Sequence, residues 1–243
     1  MSMLVDLFRA IQNSGETQII SAYERQYTTR ELKPILSPPI SPLCVSNLTS
    51  LLEYVNEWSS KDIGSDMPLL IHVVSPTQVN VWLPLDPTFY QRHCILKADG
   101  NLRWDLSGRW MDPESFIISL RSLFVQDEVT EQILKLVSNI EDSKVLISSD
   151  DGISQTVNAK VGIIRKDNIV IPPIVSLRPY RTFIEIEQPK SDFMFRMQSG
   201  VKEGSPPSIM LGGIDGGAWE NQAMASIKQY LKDRLPAGTV ILA

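Results

Sequence analysis

The densest run of residues able to do chemistry lies between Arg178 and Arg196, where Arg178, Tyr180, Arg181, Glu185, Glu187 and Arg196 fall within nineteen positions. Read as a strand over 180–187, the period of two puts Arg181, Phe183, Glu185 and Glu187 on one face and Thr182, Ile184 and Ile186 on the other. Arg196, on a following strand over 193–197, comes within cross-strand reach. Two carboxylates beside guanidiniums can do acid–base work or bind a polar ligand. Planar arginine forks that converge suit a phosphate, and Tyr180 can stack on a base, so the sharpest ligand reading is a nucleotide-like anion. The same pattern also describes a ladder of cross-strand ion pairs on a wet sheet face, with no ligand at all.

A second set is Arg103-Trp104 and Arg109-Trp110, cations interleaved with indoles, the pattern of a stacking surface for single-stranded nucleic acid. Indoles are also common core anchors. Asp150-Asp151-Gly152 offers adjacent carboxylates, but a hard cation wants more oxygen ligands, and Asp-Gly is a hairpin turn signal. The glycines of 212–217 stand before a helix without the lysine of a phosphate-binding loop, and Asp215 is suited to cap that helix. His72 reads as a core residue within an apolar strand. His93-Cys94 lacks further ligands at zinc spacing, and no G-x-S-x-G nucleophile turn occurs. No metal, cofactor or covalent nucleophile is expected.

Elements must position these groups. Residues 1–30 read as an N-terminal arm, with a short amphipathic helix over 1–13 and a weak strand over 17–23. Pro34, Pro38, Pro39 and Pro42 make 31–43 an extended linker. The main domain then spans 44–243. Ser46 or Asn47 caps a helix with a stripe of Leu48, Leu51, Leu52, Val55 and Trp58. Residues 69–83 form a hairpin. Asp112-Pro113 starts a helix with Phe116, Ile117, Leu120, Leu123 and Phe124 on its core face. A second helix carries Val129, Ile133, Leu136, Val137 and Ile140 and lies antiparallel to the first. Strands follow over 145–147 and 153–163, with a turn at 166–168 and a return at 169–171. A loop over 198–208 and the glycine run lead to a last helix and a strand over 239–242. Helices and hairpins mix without repeating βαβ units, so the expected class is α+β with a largely antiparallel sheet of hairpins and packed helices.

The chain of 243 residues carries a formal net charge of −5, with 43% hydrophobic and 21% charged residues. That composition supports a globular core and excludes a bulk electrostatic grip on duplex DNA or an anionic membrane. No apolar run approaches the length of a membrane span, and the N-terminus lacks the shape of a signal peptide. Cys44 and Cys94 form no disulfide framework, which favours a reducing compartment.

Several strings, in this order, resemble the YfdQ-like family of phage and prophage proteins. They are residues 71–77 (Ile-His-Val-Val-Ser-Pro-Thr), 113–116 (Pro-Glu-Ser-Phe) and 149–155 (Ser-Asp-Asp-Gly-Ile-Ser-Gln). To these belong 177–183 (Leu-Arg-Pro-Tyr-Arg-Thr-Phe), 188–191 (Gln-Pro-Lys-Ser) with Phe195-Arg196, and 215–219 (Asp-Gly-Gly-Ala-Trp). The resemblance covers about residues 45–243. It implies a phage or prophage origin and a bacterial host cytoplasm, and it supplies no catalytic residues. The expected function is a non-enzymatic accessory protein that binds a host factor, a nucleic acid or a nucleotide-like signalling molecule. The alternatives are an enzyme acting on a nucleotide or phosphoester through the 180–196 face, and a homo-oligomer assembled through the N-terminal arm.

Overall fold

A computed structural model describes residues 19–28, 41–60, 68–87, 90–100, 108–141, 144–150, 155–161, 165–171, 173–198 and 207–243. The arm helix expected over 1–13 and most of the proline linker lie outside these residues. The described chain opens with an antiparallel hairpin, β1 (Ile19–Ala22) and β2 (Arg25–Thr28), with Ile19 opposite Thr28. Tyr23 and Glu24 turn it with φ of 52° and 64°, the left-handed pair that a two-residue hairpin turn requires.

β3 (Leu43–Val45) takes up the last residue assigned to the linker and leads into α1 (Leu48–Ser60). The expected stripe of this helix is real: Leu48, Leu51, Leu52 and Val55 are buried, and the Asn47 side-chain oxygen accepts the Ser50 N–H at 2.7 Å. The hairpin of β4 (Leu70–Ser75) and β5 (Gln78–Trp82) follows. Alternation sends Ile71, Val73, Val79 and Val81 inward. His72, half-buried, lies on the opposite face of the hairpin beside its cross-strand partner Asn80, which is buried. β6 (Cys94–Asp99) was not legible among residues 88–110. It pairs antiparallel with β5, and β3 lies parallel to it.

The chain then leaves this sheet and builds a second core. α2 (Pro113–Leu123) starts as expected, with Asp112 accepting the Ser115 N–H at 2.9 Å. That bond holds the Asp112 carboxyl below its usual range. α3 (Glu128–Glu141) follows it. β7 (Lys144–Asp150), β8 (Gln155–Val161) and β9 (Arg165–Ile171) form an antiparallel meander. Residues 166–168, expected as a turn, lie inside β9, where Lys166 pairs with Lys160 and Asn168 with Asn158. β10 (Ile174–Leu177), β11 (Ser191–Gln198) and β12 (Ser208–Gly213) make a three-stranded antiparallel sheet under α2 and α3. Gly212 and Gly213 therefore end a strand, and the loop expected over 198–208 gives up Ser208 to it. Phe116 meets Phe195 at 5.9 Å and Phe124 meets Phe193 at 6.1 Å, both edge-on, the geometry ring quadrupoles prefer.

α4 (Ala218–Lys232) returns the chain to the first core, burying Ala223, Ile227 and Leu231. Its N-cap is Gly217, at φ 84°, where a side chain would be strained, and not Asp215. Asp215 instead accepts the Gly217 N–H at 3.2 Å. β13 (Val240–Leu242) completes a five-stranded sheet of order β13-β4-β5-β6-β3, with β13 parallel to β4. The architecture is α+β with mostly antiparallel sheets, and two hydrophobic cores sit under separate sheets. Among the described residues, no helix is long and apolar enough to cross a membrane.

Candidate functional site

The run over 180–187 is not a strand. Between β10 and β11 the chain makes irregular turns over 178–190, and this segment joins the two cores. Its two apolar anchors, Phe183 and Ile186, are buried in the first core. Each contributes roughly 1.5–3 kcal/mol by leaving water. At its other end the segment touches the second core. The Val125 N–H donates to the Arg178 carbonyl, and the Tyr180 N–H donates to the carbonyl of Leu123, the last residue of α2. A strand would send Phe183 and Ile186, three positions apart, to opposite faces, whereas the turn brings both into the first core. The demands of two cores therefore override the local alternation.

The bend is held by one amide. The Gln188 side-chain oxygen accepts the N–H groups of Arg181 and Thr182 at 3.1 and 3.3 Å. Its nitrogen donates to the carbonyls of Phe183 and Ile186 at 3.1 and 3.3 Å. All the polar capacity of this buried amide is thus used on the turn itself. The Thr182 hydroxyl donates to the Pro76 carbonyl at 2.5 Å, tying the bend to the β4–β5 turn.

The charged residues then disperse. Glu185 reaches α1, where one carboxylate oxygen accepts the Leu48 and Thr49 N–H groups at 2.7 and 3.1 Å. It satisfies free donors of a helix start and places negative charge at the positive end of the helix dipole. Arg181, 6% exposed, lies 3.9 Å over the Trp219 ring and 3.5 Å from Asp215. It also donates to the Ser191 hydroxyl, which in turn donates to Asp215. Burial pulls the Arg181 guanidinium down to about 10, against the opposing pull of Asp215, so it stays charged at neutral pH. Partial burial works to raise Asp215, but hydrogen bonds from Ser191 and Gly217 and the Arg181 charge outweigh it and hold the carboxyl low.

Arg178 points elsewhere. One terminal nitrogen meets Asp127 at 3.2 Å and the other meets Glu187 at 3.3 Å. Asp127 sits at the start of α3 and accepts both the N–H and the hydroxyl of Thr130 at 3.0 Å. Burial works against its ionisation, but these bonds and Arg178 hold it below its usual range. The Glu187 side chain is 84% exposed, so its tie to Arg178 is weak, about 0–1 kcal/mol. Arg178 and Glu187 line an open polar cleft of about 360 Å³ with Asp127, Gln188, Lys190, Gln222 and Ser226.

Of the six residues singled out as one ligand face, the cleft thus gathers Arg178 and Glu187. Tyr180 is half-buried beside α2, and Arg181 and Glu185 bind other parts of the fold. Arg196 sits on β11 opposite Met210, between the buried Phe195 and Met197, and so faces away from the core. The face does not exist because its supposed strand does not exist. Asp127, Gln222 and Ser226 went unnoticed in the sequence. Asp127 alone carried a local signal, an acidic residue three positions before Thr130 at a helix start. Arg103 and Trp104 lie outside the described residues. Arg109 and Trp110 are exposed just before α2, Trp110 by 46%. Both cysteines are free thiols, and burial is the main cause raising Cys94. Among the described residues, no group of three or more His, Cys, Asp or Glu could hold a metal ion.

Four of the strings behind the family resemblance meet at this junction. Pro76 receives Thr182, Gln188 holds the bend, and Ser191 and Trp219 flank Arg181. No family model, curated protein or solved structure matches the chain.

Proposed function

We propose that the chain is a non-enzymatic accessory protein of phage or prophage type, acting in a bacterial host cytoplasm by binding a host factor, a nucleic acid or a small signalling molecule. The observation that supports this reading is the fate of the ionic residues most suited to catalysis. Arg181 and Glu185 hold the two cores and α1 in place. Groups held this way give the protein shape, and recognition is left to its surface. The resemblance of the junction strings to a phage family supports the origin. The test incubates the purified protein with nucleotides and phosphoesters, with and without Mg²⁺, and follows product. No turnover is expected. Turnover that disappears in Glu187→Gln overturns the reading in favour of an enzyme.

A second reading, self-assembly through the N-terminal arm, is favoured by the β1–β2 hairpin. Ile19, Ile20 and Tyr23 are 60%, 46% and 97% exposed there. A two-stranded hairpin is marginal in water unless its apolar side finds a partner. Light scattering on the full chain and on a chain lacking residues 1–40, which spares β3, distinguishes them. An assembly that falls to monomer on deletion supports the arm, and an unchanged mass excludes it.

A further inference from the structure

We infer that the cleft between the start of α3, the 178–190 segment and α4 is a binding site for a small phosphorylated polyol, with Glu187 as the group the phosphate displaces. The inference deepens the binding reading and rests on it, in that the occupant is held and not converted.

The argument begins with Arg178. Asp127 fixes one terminal nitrogen of its guanidinium at 3.2 Å and is itself fixed by Thr130. The fork is therefore oriented before any ligand arrives, and orientation in advance lowers the cost of binding. Among the described residues the other terminal nitrogen holds only Glu187, whose side chain is almost wholly in water. An anion offering more acceptor oxygens than this tether can take its place. Lys190 lines the same cleft, and among the described residues it has no carboxylate partner. Gln222 and Ser226 stand four positions apart on α4, hence on one face of it, and add an amide and a hydroxyl donor. Arginine, lysine, amide and hydroxyl together form a donor set suited to the three terminal oxygens of a phosphomonoester.

The rest of the cleft sets the body of the ligand. At about 360 Å³ it is at the low end for small-molecule sites and larger than a bare phosphate needs. Its described lining is polar throughout and contains no aromatic ring, and Tyr180 is not part of it. A base would find nothing to stack on. Hydroxyls would find the Asp127 carboxylate as an acceptor. These features select a sugar phosphate over a nucleotide.

Isothermal titration of the full chain with ribose 5-phosphate, inorganic phosphate and AMP tests the site. Expected are saturable binding of ribose 5-phosphate, weaker binding of phosphate, and no gain from the adenine of AMP. Lys190→Gln weakens ribose 5-phosphate by about tenfold. Glu187→Gln tightens it by about two- to fivefold, because the competitor is gone. Both side chains are exposed, so the variants fold. Absence of heat with ribose 5-phosphate, or unchanged or weaker affinity in Glu187→Gln, overturns the site while leaving the wider binding reading intact. Tighter binding of AMP overturns the polyol assignment. Conversion of ribose 5-phosphate to product overturns the non-enzymatic reading, and the Glu187→Gln gain then still decides the site.

Discussion

Arg178 and Arg181 stand three positions apart in one turn-rich segment, and the fold treats them oppositely. Arg181 is shut between Ser191, Asp215 and the Trp219 ring, with 6% of its side chain in water. Arg178 keeps 29% exposed and shares its guanidinium between a fixed carboxylate and a loose one. Identical chemistry therefore gives a strut in one place and an adjustable surface in the other. What separates them is desolvation. A buried charge is strongly destabilising once its partner is removed, whereas a half-exposed one can exchange partners with water or ligand at little cost.

The largest expected effect follows from the strut. Arg181→Ala removes the cation from a buried pair and empties the space over Trp219, so stability falls by about 3–5 kcal/mol in urea titration. A loss no larger than that of Arg178→Ala would erase the contrast. Acid should expose the same strut next. Asp215 and Asp127 have folded pKa values below their ordinary 3.8. Groups with depressed folded values contribute stability that is complete above the unfolded pKa and is lost as pH falls through the folded one. Unfolding should therefore sharpen below about pH 4, and Asp215→Asn should flatten this acid limb in melts recorded from pH 2 to 7. An unaltered limb would mean that Asp215 gains nothing from folding.

A third outcome concerns Glu185, whose carboxylate caps α1 from 137 residues away in sequence. Glu185→Ala should cost about 1–2 kcal/mol, with α1 amides exchanging faster. Arg178→Ala should cost about 1 kcal/mol, since its pairs are partly solvated. The smallest effect is Glu187→Gln, within about 0.5 kcal/mol by chemical denaturation. A large loss there would show that the Arg178–Glu187 tie is structural, and the comparison between the two arginines would fail.

Local pattern was enough to read several elements. The stripe Leu48, Leu51, Leu52, Val55 shows α1, and Asp112-Pro113 shows where α2 begins, because capping and helical spacing act over a few residues. The β4–β5 hairpin was legible for the same reason. β3, β6, β10 and β12 were missed or misassigned. β3 and β10 are short, and much of what makes all four strands is pairing with partners ten or more residues away. Residues 166–168 looked like a turn by type but pair with 158–160. The 180–187 segment failed most instructively. Its alternation was real, yet Phe183 and Ile186 are drawn to one core while the backbone around Arg178 and Tyr180 is hydrogen-bonded at the other. The cleft was half legible. Arg178, Glu187 and Lys190 stood in strings that drew notice, but Gln222 and Ser226 lie on a helix more than thirty residues onward.

By itself the sequence determined the α+β class, the starts of α1 and α2, and which segment carries the densest charge, since these depend on composition and on spacings of two to four residues. Only the tertiary structure decided what each charge does. Whether an arginine becomes a strut or lines a cleft depends on how much water it loses and which carboxylate it meets. Asp215 is 34 residues from Arg181 and Asp127 is 51 from Arg178, distances no local pattern spans.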